Sequence, residues 1–300
     1  MHVLVGTSEG LHEPGRGIVA FDGRNVSALA PGREGWWAIV DGESVWRGDG
    51  SSWEPVAETA GRRLNCVAEA SGDVWVGASE ARLLKLEDGR LEDVASFDKV
   101  EGREGWYTPW GGPPDVRSLS AGPDGVLYAN VHVGGIVRSA DGGGTWEPTI
   151  DVDTDVHRVV AHPETPGLVL AALGAGGLAT SADGGGTWAF ETGGLHATYC
   201  RAVAIAGDAV LLSASTGPFG GRAAVYQRPL SGGAFERCTS GLPDWFGSNI
   251  DSRWLDARGT DAAFGTPDGE ACASTDAGRT WTLEDSGLPV IHCVVLAPDG

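Results

Sequence analysis

An eight-residue segment occurs three times in the chain and constrains the fold more than any other feature. It reads Ser-Ala-Asp-Gly-Gly-Gly-Thr-Trp at residues 139–146 and again at 181–188, and Ser-Thr-Asp-Ala-Gly-Arg-Thr-Trp at 274–281. The glycines permit positive φ angles, the Asp and Thr side chains can bind local backbone N–H groups, and the Trp supplies a large apolar surface at the start of a strand. The segment therefore predicts a hairpin turn that is used repeatedly.

The spacing of the copies indicates the architecture. The first two copies are 42 residues apart and the second and third are 93 apart, which is about two periods with one degenerate copy between them. A period of about 40 to 45 residues is typical of β-propeller blades. The degenerate copy is expected at residues 229–235, where the Asp is lost and Phe235 replaces the Trp.

The segment resembles the S-x-D-x-G-x-T-W signature of the Asp-box, or BNR-repeat, β-propellers. The resemblance implies that Asp141, Asp183 and Asp276 are structural residues. It also implies that their turns join the third and fourth strands of a blade, away from the ligand-binding face. The resemblance implies no single function, because sialidases, sortilin-type receptors, xyloglucan-degrading hydrolases and photosystem assembly factors carry the same turn.

Short runs of β-branched, aromatic and Ala residues between Gly, Pro and Asp divide the chain into four-stranded blades. Blade 4 is expected to have its strands, from innermost to outermost, at residues 115–121, 126–133, 135–139 and 146–150. Blades 2, 3, 5, 6 and 7 are expected to start near residues 25, 65, 155, 199 and 252. Blade 2 is expected to end near residue 58, and blade 3 near residue 97.

The two ends of the chain predict how the ring closes. Residues 2–6 are expected to form a second strand and residues 291–297 an innermost strand, and each lacks the rest of its blade. Pairing them completes blade 1 and removes the sheet edges that an open ring would expose. We predict an all-β fold, a seven-bladed β-propeller forming a single domain over residues 1–300, with six blades as the alternative.

The charge of the chain restricts its partners. A net charge of −20 at pH 7 argues against nucleic acid or an anionic membrane surface. Lysine occurs only at Lys85 and Lys99, which favours a protein of a high-salt cytoplasm, although a GC-rich genome would also favour Arg over Lys. The start of the chain has neither a basic segment nor a long apolar run, so we expect no signal peptide, no membrane span and a cytoplasmic location.

The cysteines and histidines predict neither a disulfide nor a metal site. Five cysteines, an odd number with no C-x-x-C spacing, indicate reduced and mostly buried thiols. No zinc-type spacing of His and Cys is present, so no metal and no cofactor is expected.

A column of polar residues is the main candidate for a binding site. Aligning the seven innermost strands gives one polar residue per strand, at Asn25, Asn65, Arg117, His157, Arg201, Arg253 and His292. The residues two positions further along each innermost strand are almost all apolar. The polar column predicts a ring around the mouth of a central funnel, where Arg would bind carboxylate or phosphate. The alternative is that these residues pair with Asp115, Asp155 and Asp251 and have a purely structural role.

Two long loops that lead into innermost strands are rich in aromatic residues. Residues 101–114 contain Trp106, Tyr107 and Trp110, and residues 243–249 contain Trp245 and Phe246. Flat rings beside polar donors can hold sugars or other amphipathic ligands, although the same loops could simply plug the funnel. His132 and His196 are expected to face the same space as Trp110.

Two functions follow from these features. The first is a non-catalytic propeller that binds a small anion, a carbohydrate or a protein partner. The second, from the resemblance to sialidases, is a glycoside hydrolase in which Arg117, Arg201 and Arg253 would grip a carboxylate. In that case Tyr199 is the candidate nucleophile, with Asp115, Asp155 or Asp251 as the acid/base. No sialidase-type arginine motif occurs in residues 1–60, and the fold alone implies no activity, so binding is favoured.

Overall fold

The protein is a seven-bladed β-propeller in which each blade is a four-stranded antiparallel sheet. The structure is a computed structural model and describes residues 1–50 and 52–297. Blade 1 comprises β1 (Val3–Thr7), β2 (Gly10–Glu13), β3 (Gly17–Ala20) and the last strand of the chain, β28 (Ile291–Leu296). Blade 2 comprises β4 (Val26–Pro31), β5 (Trp36–Val40), β6 (Ser44–Gly48) and β7 (Trp53–Glu58). Blade 3 comprises β8 (Leu64–Ala70), β9 (Asp73–Ala78), β10 (Arg82–Glu87) and β11 (Arg90–Asp93).

The remaining blades follow in chain order. Blade 4 comprises β12 (Asp115–Ala121), β13 (Leu127–His132), β14 (Gly135–Ser139) and β15 (Glu147–Pro148). Blade 5 comprises β16 (Val156–Ala161), β17 (Val169–Leu173), β18 (Gly177–Ser181) and β19 (Ala189–Glu191). Blade 6 comprises β20 (Tyr199–Ala206), β21 (Ala209–Ser215), β22 (Ala224–Pro229) and β23 (Glu236–Arg237). Blade 7 comprises β24 (Leu255–Arg258), β25 (Asp261–Gly265), β26 (Ala271–Ser274) and β27 (Thr282–Asp285).

Pairing of the terminal strands closes blade 1, as the sequence predicts. β28 is the innermost strand and pairs antiparallel with β1, with Val5 opposite Val294 and Leu4 opposite Val295. The prediction of seven blades is therefore confirmed and the six-bladed alternative is wrong. Helix is limited, within residues 1–50 and 52–297, to two 3-10 turns at Phe97–Lys99 and Arg103–Gly105. No helix in that part of the chain has the length and apolarity needed to cross a bilayer.

The residues fall into two compact units. The first comprises residues 1–29, 172–178 and the described chain from 190 onward, and the second comprises residues 30–171 and 179–189. In the first unit Phe264 packs edge-on against Trp281, with ring centroids 4.8 Å apart. In the second, Trp146 packs edge-on against Phe97 at 5.2 Å and against Trp75 at 6.2 Å. All five cysteines are buried free thiols, which confirms the prediction for them.

The sequence misplaces the outermost strands by a residue or more. The Trp of each repeated segment was expected to begin a strand, but β15, β19 and β27 begin one residue after it. Trp281 shows why, because its backbone N–H donates to the Ser240 carbonyl outside its own sheet, at 3.0 Å. Residue 97 was expected to end blade 3, but β11 ends at Asp93 and Phe97 lies in a 3-10 turn.

The three repeated turns share one hydrogen-bond pattern and join the third and fourth strands of blades 4, 5 and 7. In the first, Asp141 accepts from the Thr145 N–H at 2.9 Å, the Thr145 hydroxyl at 2.8 Å and the Ser139 hydroxyl at 2.8 Å. The Ser139 oxygen accepts in turn from the Gly143 N–H at 2.8 Å. Asp183 and Asp276 accept the same set of bonds. Since only an ionised carboxylate accepts all of these bonds, the turns favour the charged form.

These bonds make the stability of the turns depend on pH. The Thr145 bonds, with Ser139, lower the pKa of Asp141 to about 2, and those from Thr280 lower the pKa of Asp276 to about 2. A carboxylate whose pKa is lower in the folded chain than its ordinary value of 3.8 stabilises the fold at pH values above 3.8. This stabilisation is lost as the pH falls toward 2. We expect Asp141→Ala to lower Tm at pH 7, and to lower it much less at pH 2.

Scanning calorimetry at the two pH values checks this expectation. Asp22→Ala is the control, because Asp22 is exposed and lies outside the three turns. In the register of blade 4, Ser139 and Leu127 lie at one end of the sheet, and Asp115 and His132 lie at the other. The substitution should therefore leave ligand contacts at the Asp115 end unchanged. An equal effect of both substitutions at pH 7 would contradict the structural role of Asp141.

Candidate functional site

Four residues of the predicted polar column lie at irregularities in the innermost strands. In blade 4, Val116 pairs with Val131 and Ser118 with Asn130, so Arg117 is the extra residue of a β-bulge. Comparable register shifts occur at Asn65 in β8, Arg201 in β20 and His292 in β28. A bulge bends the strand and redirects a side chain, and bulges are frequent beside functional sites. Asn25 and Arg253 instead precede β4 and β24, and His157 lies inside β16.

The structure brings three predicted residues of the second unit into one cluster. Asp155 precedes β16 and His157 is its second residue, so their side chains lie on the same side of the strand. His132 is the last residue of β13. The Asp155 Oδ1 atom lies 2.8 Å from His132 Nε2 and 3.4 Å from His157 Nε2. We call these three residues the His-Asp-His cluster.

Buried hydrogen bonds fix the strands that carry this cluster. Asn130, two residues before His132, donates its side-chain amide to the Val156 carbonyl at 3.0 Å, between Asp155 and His157. Two hydroxyls of β12 accept from the backbone of β16, Ser118 from Val159 at 3.1 Å and Ser120 from Ala161 at 2.9 Å. These hydrogen bonds connect β12, β13 and β16 next to the cluster.

The cluster is open to solvent on one side. The side chain of His157 is 1% exposed and that of His132 is 11% exposed, whereas that of Asp155 is 36% exposed. Burial alone would raise the pKa of Asp155, but the His132 hydrogen bond and the charges of His157 and Arg117 outweigh it, so this pKa is lowered. Asp155 is therefore an ionised acceptor. Asp115, the other candidate acid of this region, pairs with His132 in the β-ladder.

The aromatic residues of the loop at residues 101–114 lie in two different environments. Trp106 packs on Phe97 at 5.7 Å and carries the Arg103 guanidinium 4.7 Å from its ring centroid, so it belongs to the core. Tyr107 is 47% exposed and Trp110 is 71% exposed. The Trp110 ring lies 5.6 Å from the His132 ring. Trp110 thus stands beside the His-Asp-His cluster and leaves most of its own surface open to water.

In the first unit Arg201 forms the ion pair that the structural alternative anticipates. Its Nη1 donates to Asp251 Oδ2 at 2.8 Å, and its Nη2 donates to the Tyr199 hydroxyl and the Pro218 carbonyl, each at 3.2 Å. Burial would lower the pKa of Arg201, but the Asp251 carboxylate raises it, so the guanidinium stays charged. Asp251 also accepts from the Ser252 N–H at 2.6 Å. It is therefore an ionised acceptor rather than a proton donor.

Two loops next to Arg201 are joined by backbone hydrogen bonds. We call residues 216–222 and 243–249 the blade 6 loop pair. Ala223 and Phe246 exchange both backbone hydrogen bonds, at 3.0 and 2.8 Å. Asn249 donates its side-chain amide to the carbonyls of Gly217 and Pro218 at 3.2 and 3.1 Å. At the tip, the side chain of Phe219 is fully exposed.

Two arginines stack on one indole in this loop pair. The Arg222 and Arg237 guanidinium carbons lie 4.5 and 4.4 Å from the Trp245 ring centroid. Arg222 is exposed and has a φ of 49°, a conformation that a bulky residue rarely adopts. Gly220 and Gly221 before it also have positive φ. Such backbone strain persists where the surrounding structure enforces it, often at binding sites.

His196 extends this aromatic group. Its ring stacks on Tyr226 with centroids 5.7 Å apart, its Nδ1 lies 2.7 Å from the Tyr226 hydroxyl, and it lies 4.6 Å from Trp245. Burial lowers the pKa of His196, so it is neutral at pH 7. The cations beside Trp245 are therefore Arg222 and Arg237, of which Arg237 pairs with Asp244 at 3.2 Å. Neither was among the predicted site residues, because Arg222 precedes β22 and Arg237 lies in β23, 15 residues later in the chain.

The last two candidates of the polar column lie elsewhere in the first unit. His292 lies in β28, and the Arg253 carbonyl accepts from the Val294 N–H at 2.9 Å. Burial raises the pKa of the neighbouring Cys293 thiol to about 12, in spite of the opposing charge of Arg253. Cys293 is therefore an inert core thiol rather than a nucleophile.

Comparison with known proteins identifies the fold only. No protein-family model matches the sequence, and no curated protein sequence matches it. Among solved structures, a GH74 enzyme from Niastella koreensis is 15% identical with a TM-score of 0.64, over 93% of this chain and 46% of the enzyme. The chain therefore spans less than half of that enzyme.

Two other similar structures align with this chain over most of the length of each partner. YCF48 bound to the D1 peptide is 14% identical with a TM-score of 0.58, over 88% of this chain and 84% of YCF48. A virginiamycin B lyase from Staphylococcus aureus, bound to quinupristin, is 12% identical with a TM-score of 0.62, over 87% and 84% of the two chains. These similar structures include enzymes as well as a peptide-bound protein, so at such identities they support the propeller and leave the function open.

Proposed function

We propose that this chain is a non-catalytic propeller that binds an acidic peptide or protein segment through the blade 6 loop pair. The observation that carries the proposal is the stacking of Arg222 and Arg237 on Trp245 beside the fully exposed Phe219. Arg237 already pairs with Asp244 at 3.2 Å, whereas Arg222 is exposed, so a bound carboxylate would pair mainly with Arg222. In a chain of net charge −20, Arg222 provides a positive charge beside an exposed apolar side chain, which suits an acidic segment.

The chemistry of the loop pair favours a peptide over a small anion. A Phe side chain gains about 1.5 to 3 kcal/mol on burial, and aromatic and Arg residues are the usual anchors of protein interfaces. A small anion could use the two arginines but would leave Phe219 in water. Arg201 supports the surface indirectly, since it donates a hydrogen bond to the carbonyl of Pro218, the residue before Phe219. Arg117, Arg253 and His292 remain candidate contacts in their own blades.

The alternative, a sialidase-like glycoside hydrolase, has less support from the geometry. It needs Tyr199 as a nucleophile activated by a carboxylate, yet the Tyr199 hydroxyl accepts a hydrogen bond from Arg201. It also needs a protonated Asp, whereas Asp251 and Asp155 both face cationic partners. Assignment to the Asp-box superfamily, a single domain and a cytoplasmic location are part of the proposal, and the three repeated turns support the first of these.

Calorimetric titration with a synthetic peptide of alternating Glu and Leu tests the binding proposal. We expect the wild type to bind this peptide, and Arg222→Met to weaken binding about 10-fold, the effect of losing one charge-assisted hydrogen bond. Phe219→Ala should weaken binding by a similar factor. Arg90→Met is the matched control, because Arg90 is an exposed cation on the outer strand of blade 3.

The outcomes of this titration separate the alternatives. If the Arg222 and Arg90 substitutions weaken peptide binding equally, the effect comes only from the change in net charge, and the proposed site is wrong. Binding of N-acetylneuraminic acid, succinate or phosphate with no binding of the peptide would replace the peptide with a small anion. Turnover of a fluorogenic sialoside that is lost on Tyr199→Phe would establish the hydrolase instead.

A further inference from the structure

We infer that the His-Asp-His cluster is a binding site for a divalent transition metal of the zinc type. The inference is independent of the blade 6 loop pair, because it rests on His132, Asp155 and His157 of the second unit. Two imidazole nitrogens and one carboxylate oxygen form the set of three protein ligands that open zinc sites use.

The distances within the cluster suit one metal ion. The three ligand atoms lie within 4.8 Å of one another. Bonds of about 2.0 to 2.1 Å in tetrahedral geometry place ligand atoms about 3.3 Å apart, so small side-chain movements would complete the site. The Asp155 oxygen already lies 2.8 and 3.4 Å from the two nitrogens.

The surroundings supply the remaining features of a metal site. The Asn130 hydrogen bond to Val156 holds the two ligand-bearing strands in register, which keeps the ligands oriented. The Asp155 side chain is 36% exposed, so water or a further ligand can reach its carboxylate. Arg117 adds positive charge close to Asp155, which weakens cation binding and favours an anionic fourth ligand. Nitrogen ligands select zinc, cobalt or nickel over calcium or magnesium.

Metal uptake by the whole protein tests the inference. The protein is stripped with EDTA, dialysed, and titrated with zinc chloride by calorimetry, with bound metal counted by mass spectrometry. We expect one zinc ion per chain and a higher Tm in its presence. Cobalt should give visible d–d bands of a four- or five-coordinate site. Asp155→Asn and His132→Gln should each weaken zinc binding by more than about 100-fold, since even the loss of an outer-shell partner costs about 10- to 100-fold.

Two controls keep this result decisive. His2→Gln removes a surface histidine, 46% exposed, and should leave zinc binding unchanged. The Tm of each variant in EDTA reports whether it folds, and Asp155→Asn preserves the side-chain shape in case His132→Gln does not fold. Zinc binding that is equal in wild type and Asp155→Asn would overturn the inference, as would the absence of any stoichiometric uptake by the wild type.

Discussion

Replacing Gly241 by alanine is expected to destabilise the protein by about 2 to 5 kcal/mol. Gly241 has a φ of 79°, which costs any other residue about 1 to 2 kcal/mol. An added Cβ would also lie 1.8 Å from the Trp281 carbonyl oxygen, so the backbone itself must move, and overpacking of this kind costs a further 1 to 3 kcal/mol or so. The Ser240 carbonyl cannot move away freely, because it accepts the Trp281 N–H.

Gly287 provides a matched control for this prediction. Both glycines lie between Ser and Leu shortly after the outermost strand of their blades, and Gly287 also has a φ of 79°. An added Cβ at Gly287 would have no atom within 4 Å. Gly287→Ala should therefore cost only the conformational strain, about 1 to 2 kcal/mol. Denaturant unfolding of both variants measures the difference, and equal losses would show that the approach to Trp281 contributes nothing.

The blades could be predicted from the sequence because each depends on residues close together in the chain. The Asp carboxylate of each repeated turn takes its side-chain and N–H hydrogen bonds from within eight residues, so Asp141 and its partners are visible as a motif. The closure of blade 1 could also be predicted, since only two unpaired strands remained. The outermost strands were less predictable, because the Trp281 N–H bonds to a carbonyl 41 residues earlier in the chain, at Ser240.

The candidate sites were predictable only in part, because they depend on contacts between distant residues. The sequence offered Asp155 as a partner for the polar column that contains His157, but it named His132 separately, and no compact metal motif marks two histidines 25 residues apart. Their meeting depends on the packing of β13 against β16, which Asn130 fixes. Arg222 comes close to Trp245 because Ala223 and Phe246 exchange backbone hydrogen bonds, and Arg237 of β23 is held there by its bond to Asp244. The bulge at Arg117 likewise depends on the register of its partner strand.

Removing the carboxylate of Glu191 is expected to be the other large perturbation. The Arg228 side chain is 2% exposed, and its Nη2 lies 2.6 Å from Glu191 Oε2. Its Nη1 donates to the Pro229 carbonyl, and the guanidinium stacks on Phe235 at 5.1 Å. Breaking a buried pair by removing one partner costs about 3 to 5 kcal/mol, because the other charge stays buried. Because Glu191 is 32% exposed, the destabilisation caused by Glu191→Ala should be near the lower end of this range, at about 3 kcal/mol.

Two comparisons separate this cost from that of an ordinary ion pair. Glu34→Ala breaks the pair with Arg47 at 3.1 Å, but these side chains are 80% and 43% exposed, so the cost should stay below about 1 kcal/mol. Arg228→Met removes the buried charge itself and leaves Glu191 in reach of water, so it should cost less than Glu191→Ala. Denaturant unfolding at low and at molar salt measures all three, and salt should change only the Glu34 result. If Glu191→Ala and Glu34→Ala lower the free energy of unfolding equally, the burial of Arg228 does not determine how much its ion pair with Glu191 stabilises the protein.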